Sequence, residues 1–178
     1  MLGYGYVALG SLDSLTDPTC GTAKAAITSA APCKADTQWT GTDKLCISGN
    51  VPALDATTPD YTNNWGVSVG LNSTDPAGGG LGQSLSSVTI ATSGTPSSGL
   101  RAIVHLKGDS DSTQYCAPLT TGAMAFTSFS ATCWDTAKPG TAITAAQVTN
   151  IDKIAVQVTS GSAAIPVSSL CITGITFK

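Results

Sequence analysis

The sequence predicts an all-β protein, an antiparallel β-sandwich stapled by disulfides, on three observations. The 178-residue chain has no Glu, 11 Asp and only 8 Lys plus Arg, and is dominated by Thr, Ser, Gly, Ala and Val. Long helices are built on Glu, Lys, Leu and Ala, whereas β-branched residues suit strands. Apolar and polar residues alternate over short stretches, broken by clusters such as Ser93-Gly94-Thr95-Pro96-Ser97-Ser98-Gly99 and Lys107-Gly108-Asp109-Ser110-Asp111-Ser112, with no repeat period. Finally, Cys20, Cys33, Cys46, Cys116, Cys133 and Cys171 are an even set without a C-x-x-C pair or a histidine cluster. That pattern points to disulfides in an exported protein rather than to zinc.

Taken in order, Gly3 to Leu9 reads as a first strand. Ser11 to Lys44 is polar and carries Asp17-Pro18, Cys20-Gly21 and Pro32-Cys33, a long disulfide-pinned excursion in which the alanines between Thr22 and Ala31 favour a helical turn. Seven strands follow the turn signals: Lys44 to Ser48, Trp65 to Asn72, Ser86 to Thr92, Leu100 to Lys107, Met124 to Phe129, Ile151 to Thr159 and Leu170 to Phe177. The expected architecture is one jelly-roll domain, with residues 45–178 as its core and residues 1–44 supplying a strand and the pinned loop. Spacing alone leaves the cysteine connectivity open. The expected set joins Cys20 to Cys33 and Cys116 to Cys133 across local loops, worth about 3 kcal/mol each, and leaves Cys46 and Cys171 to tie an early strand to the last one. The first residues show no signal peptide, so a secreted or cell-surface location rests on the cysteines and the composition.

Composition also excludes partners. A net charge of -3 without any basic cluster is unsuited to nucleic acid, and no apolar run approaches the roughly 18 residues of a membrane span.

Gly66-Val67-Ser68-Val69-Gly70 matches the G-x-S-x-G signature of serine hydrolases. That signature needs a sharp strand-to-helix turn. Here Trp65, Val67, Val69 and Leu71 alternate with Gly66, Ser68, Gly70 and Asn72, and a loop follows, so Ser68 reads as a residue within a strand. Glycoside hydrolysis needs a carboxyl pair with one raised pKa, and no Asp pair here has the apolar, aromatic surroundings for it.

Binding candidates are clearer. Alternation places Leu100, Ala102, Val104 and Leu106 inward and Arg101, Ile103, His105 and Lys107 outward. It likewise turns Lys153, Ala155, Gln157 and Thr159 outward. Were these strands neighbours, Arg101, His105, Lys107 and Gln157 would form one polar strip, either a solvated sheet face or a ligand strip. Trp39, Tyr115 and Trp134 are the candidate rings for stacking on a pyranose, whereas Trp65 shares the core-facing alternation. Asp109 and Asp111 give alternating carboxylates on a turn, which reads as an Asp-rich β-turn or as a weak calcium site. No cofactor is required.

The succession Leu45-Cys46-Ile47-Ser48-Gly49, Asn64 to Asn72, Gly99-Leu100-Arg101, Tyr115-Cys116, Phe129 to Cys133-Trp134 and Leu170-Cys171-Ile172 resembles non-catalytic carbohydrate-binding modules of the galactose-binding-like jelly-roll type. Such modules are appended to secreted bacterial polysaccharide-degrading enzymes. The likeness runs from Leu45 to Lys178 in order and spacing. It implies a polysaccharide partner bound along the concave face or the end loops, a structural calcium, and further domains in a larger secreted protein. Two other functions stay open: a self-associating extracellular surface or filament subunit, which exposed strand edges would favour, and a polysaccharide-degrading enzyme, which a carboxyl pair in a cleft would mark.

Overall fold

The computed structural model describes residues 3–10, 16–20, 35–38, 45–60, 64–73, 81 and 84–178. Its strands are β1 (Gly3–Leu9), β2 (Thr16–Cys20), β3 (Ala35–Gln38), β4 (Leu45–Val51), β5 (Gly66–Ser73), β6 (Ser87–Thr95), β7 (Arg101–Leu106), β8 (Tyr115–Pro118), β9 (Met124–Ala125), β10 (Ile151–Thr159) and β11 (Ile165–Phe177). They form two antiparallel sheets, one of six strands ordered β3-β1-β5-β10-β7-β8 and one of five ordered β2-β4-β11-β6-β9.

Strands β4 to β11 make one long hairpin folded over on itself, because β4 pairs with β11, β5 with β10, β6 with β9 and β7 with β8. Two more pairings, β11 with β6 and β10 with β7, roll it up. The result is the jelly-roll arrangement, 4-11-6-9 facing 5-10-7-8. This roll begins at Leu45, and β1 to β3 extend its two sheets at one side.

Between the sheets, Val67 and Val69 of β5, Ile154, Val156 and Val158 of β10, and Ala102 and Val104 of β7 belong to the same buried cluster as Ile47 of β4, Leu170 and Ile172 of β11 and Ile90 of β6. The alternation read from sequence is the alternation of this core. Cys46 stands directly opposite Cys171 in the β4–β11 ladder and is bonded to it, and Cys116 is bonded to Cys133. Cys33 lies outside the described residues, as does the expected turn between Thr22 and Ala31.

Two local expectations change. Met124 to Phe129 is not one strand: β9 stops at Ala125 and a single 3-10 turn, Phe126–Ser128, follows. Phe126 and Phe129 are both fully buried, with ring centroids 6.1 Å apart. Residues three apart share a side in a 3-10 turn and oppose each other in a strand, so burying both rings selects the turn. Within the polar excursion, residues 16–20 and 35–38 are strands because β4 and β1 offer open edges. Pro18, which lacks an N–H, is tolerated in β2 since β2 is an edge strand.

The connection from β4 to β5 contains a carboxylate-centred turn. Asp55 Oδ1 accepts from the Thr57 and Thr58 N–H groups at 2.7 and 3.0 Å and from the Thr57 hydroxyl. These bonds, Thr57's side chain first, bring the Asp55 pKa down from 3.8 to about 2. A depressed carboxylate stabilises the fold above its unfolded pKa, and that contribution is lost as pH falls through the folded value. An NMR titration of Asp55 is expected to show a midpoint near 2; a midpoint at the ordinary 3.8 would mean that the turn does not persist in solution.

Candidate functional site

The face of the six-stranded sheet turned away from the core is not an open polar surface. Cross-strand register arranges its residues in rows: Ala8, Ser68, Gln157 and Arg101 in one, Tyr6, Gly70, Ala155 and Ile103 in the next, and Asn72, Lys153 and His105 in the third. The middle row is a second small apolar cluster, in which Ile103, Ala155 and Cys116 are buried with Tyr6 and Cys133 packed against them. Gly70 is required there, because a Cβ on it would lie 2.6 Å from the Ala155 Cβ and 2.9 Å from the Tyr6 ring. Burial continues on both sides, with Ser68, Gln157 and His105 only 5, 8 and 4% exposed. The strands carrying Arg101, His105 and Gln157 are neighbours, as the strip requires, yet a dry row separates its two ends.

At one end, Arg101 faces Gln157 across the β7–β10 ladder, and Gln157 faces Ser68 across β10–β5. Above Arg101 lies Trp134, whose ring centroid is 5.7 Å from the guanidinium carbon, within cation–π range. Trp134 is 58% exposed, the one exposed large hydrophobic side chain among the described residues. Its backbone is well anchored. Cys133 is bonded to Cys116 in β8, the Asp135 N–H donates to the Thr132 carbonyl at 2.9 Å, and the Thr132 hydroxyl donates to the Lys138 carbonyl at 2.6 Å. Asp135 Oδ1 in turn accepts from the Ala137 and Lys138 N–H groups, both at 3.0 Å. Burial pushes the Arg101 pKa below its ordinary value, with no carboxylate contributing.

The other end is a set of fasteners. His105 Nδ1 is 2.6 Å from Asp152 Oδ1, and Nε2 is 3.2 Å from the Ser110 carbonyl. Both ring nitrogens therefore face acceptors, and among the described residues a backbone carbonyl, not a serine hydroxyl, occupies the position a catalytic nucleophile would need. Lys153 donates to Asp111 at 2.6 Å and holds that carboxyl below the usual carboxylate range. Tyr115 donates to Asp109 at 3.3 Å; burial first, then the Asp109 charge, raises the phenol. Together these contacts pin residues 107–114 to the end of the sheet. Asp109 and Asp111 serve different partners, and among the described residues no three His, Cys, Asp or Glu side chains gather as metal ligands.

Of the residues singled out from sequence, the structure thus brings together Arg101, Gln157 and Trp134. His105 belongs to the fastened end, and Lys107 is exposed beyond it. Tyr115 stands opposite Val104 and packs against the main core, so it is on the other side of β8 from Cys116. Trp39 lies outside the described residues. Ser68 sits in mid-strand between Ala8 and Gln157, in a different row from His105. Asp152 escaped the sequence reading because its partner comes from 47 residues away. The Trp134–Arg101 contact was hidden for the same reason.

A concavity of about 250 Å³ lies beside β6, lined by the hydroxyl residues Thr89, Thr92, Ser97, Ser98, Thr120 and Thr121 and by Ile90, Ala91, Leu100 and Leu119. It contains no ring and no charge. Among the described residues β6 is paired on one side only along it, since β9 reaches no further than Met124 opposite Val88. Among the described residues no helix is long and apolar enough to cross a membrane. No family model, curated protein or solved structure matches the chain.

Proposed function

We propose that this chain is a non-catalytic carbohydrate-binding module that recognises a plant or microbial polysaccharide outside the cell. One observation carries the reading: an exposed indole, Trp134, on a disulfide-anchored turn, with a guanidinium over one face of its ring. A pyranose offers an apolar face to a ring and hydroxyls to fork-like donors, and these two groups supply both. Holding the ring in place beforehand reduces the ordering cost of binding. The groove beside β6 has no such ring, which ranks it second. Export is in keeping with the two disulfides among the described residues, since such bonds persist in oxidising compartments.

The test is retention of the purified protein on insoluble cellulose, xylan and chitin and its affinity for soluble glucans and pectins. Trp134→Ala is expected to weaken binding at least about tenfold, roughly 1.4 kcal/mol, with little change in unfolding midpoint because the side chain is exposed. Retention on none of the glycans, or equal retention by the variant, removes the reading.

A structural subunit is the second reading, favoured by the side of β6 that no described residue pairs with over residues 89–95. A strand edge of this kind can pair with another copy. Concentration-dependent assembly in sedimentation velocity, without glycan binding, would establish it instead.

A further inference from the structure

We propose that the Trp134–Arg101 site selects an acidic saccharide, a uronic acid whose ring stacks on Trp134 while its carboxylate is held by Arg101. This inference rests on the carbohydrate-binding reading. Arg101 is half-buried, yet the two ion pairs among the described residues, His105–Asp152 and Lys153–Asp111, leave it without a carboxylate. Its cross-strand neighbours are Gln157 and Pro118, neither of them an anion. The closest acidic residue in sequence to Trp134, Asp135, turns Oδ1 onto its own loop. A guanidinium partly removed from water without a counter-ion is a cost to the free protein, and a ligand carboxylate relieves it. Guanidinium and carboxylate also match geometrically, fork to fork, with two parallel charge-assisted hydrogen bonds.

The charge of the whole chain strengthens the argument. At -3 it repels polyanions, so preference for an acidic glycan cannot come from a diffuse field and has to arise at a local cation. The burial that desolvates Arg101 also makes its charge less screened by salt than that of a surface lysine.

The experiment is calorimetric titration of the intact protein with trigalacturonate and with its methyl ester, which has the same ring but no charge. A glucuronate oligomer and its ester run alongside to separate sources of the acid. At least one free acid is expected to bind about tenfold or more tightly than its ester, the range of one charge-assisted bidentate contact. Arg101→Gln should bring acid and ester to equal affinity, Arg101→Lys should recover only part of the difference, and Trp134→Ala should weaken both. Equal binding of acid and ester by the wild type overturns the selection for acid and leaves carbohydrate binding standing. Binding of no saccharide at all overturns both. The wild-type comparison of acid with ester depends on no variant's folding.

Discussion

Replacing Cys46 and Cys171 together by serine is expected to lower the unfolding free energy by about 5 kcal/mol, the largest effect of any change considered for this chain. The bond joins residues 125 apart, β4 at the start of the roll and β11 at its end. It therefore restricts nearly the whole jelly roll in the unfolded state. In the chain-entropy model a loop of about 100 residues already gives about 4.7 kcal/mol, against about 3 kcal/mol for a loop near the 17-residue span of Cys116–Cys133. Native geometry needs no repair after substitution, because the two residues face each other in a ladder that β4 and β11 maintain through their backbones. Urea unfolding of the two double-serine variants checks the prediction. The Cys46–Cys171 variant should lose more midpoint and show a larger m-value, since its unfolded chain is free to expose more surface. An unchanged midpoint would mean that β4 and β11 remain associated in the denatured ensemble.

Gly66→Ala is expected to cost on the order of 4 kcal/mol, combining about 1–3 kcal/mol of backbone strain with a similar cost of overpacking. Gly66 opens β5 with φ at +111°, and a Cβ there would lie 2.1 Å from the Val158 carbonyl oxygen and 2.9 Å from the Ser160 nitrogen. Both atoms are backbone, so neither can swing aside. The Gly66 carbonyl also accepts from the Gly10 N–H at 3.0 Å, which ties β1 to the same spot. Gly108→Ala separates the two contributions, because Gly108 has φ at +93° and nothing within 4 Å of the added carbon. Thermal unfolding of both variants should give Gly108→Ala a shift well under half that of Gly66→Ala. Equal shifts would show that β10 moves away and that only the dihedral matters.

These glycines also account for the hydrolase-like pentapeptide. Gly66 is set by the approach of β10 and Gly70 by the Tyr6 ring over Ala155, so two packing requirements four residues apart reproduce a signature whose chemistry needs a turn. The flanking alternation of Val67 and Val69 with Ser68 was enough to read the strand correctly.

The sequence by itself determined the sandwich, most strand positions and the inward set. A two-residue period with one apolar side leaves a strand a single way to bury that side, and Val67, Val69, Val104, Val156 and Ile172 all follow it. It also singled out Arg101 and Trp134, as the cations and rings are so few, and Gln157, which shares the outward alternation. Tertiary structure alone decided what became of the outward set. Periodicity says which side chains share a face and nothing about what lies over that face. The Cys116–Cys133 bond brings the Trp134 turn over one end, residues 107–114 fold down onto His105 and Lys153 at the other, and Ile103 and Ala155 between them become a dry row. Each of these contacts joins segments distant in sequence, so its energy depends on a chain path that no local pattern encodes. That path turned one presumed strip into a fastened end and a ring-and-guanidinium site.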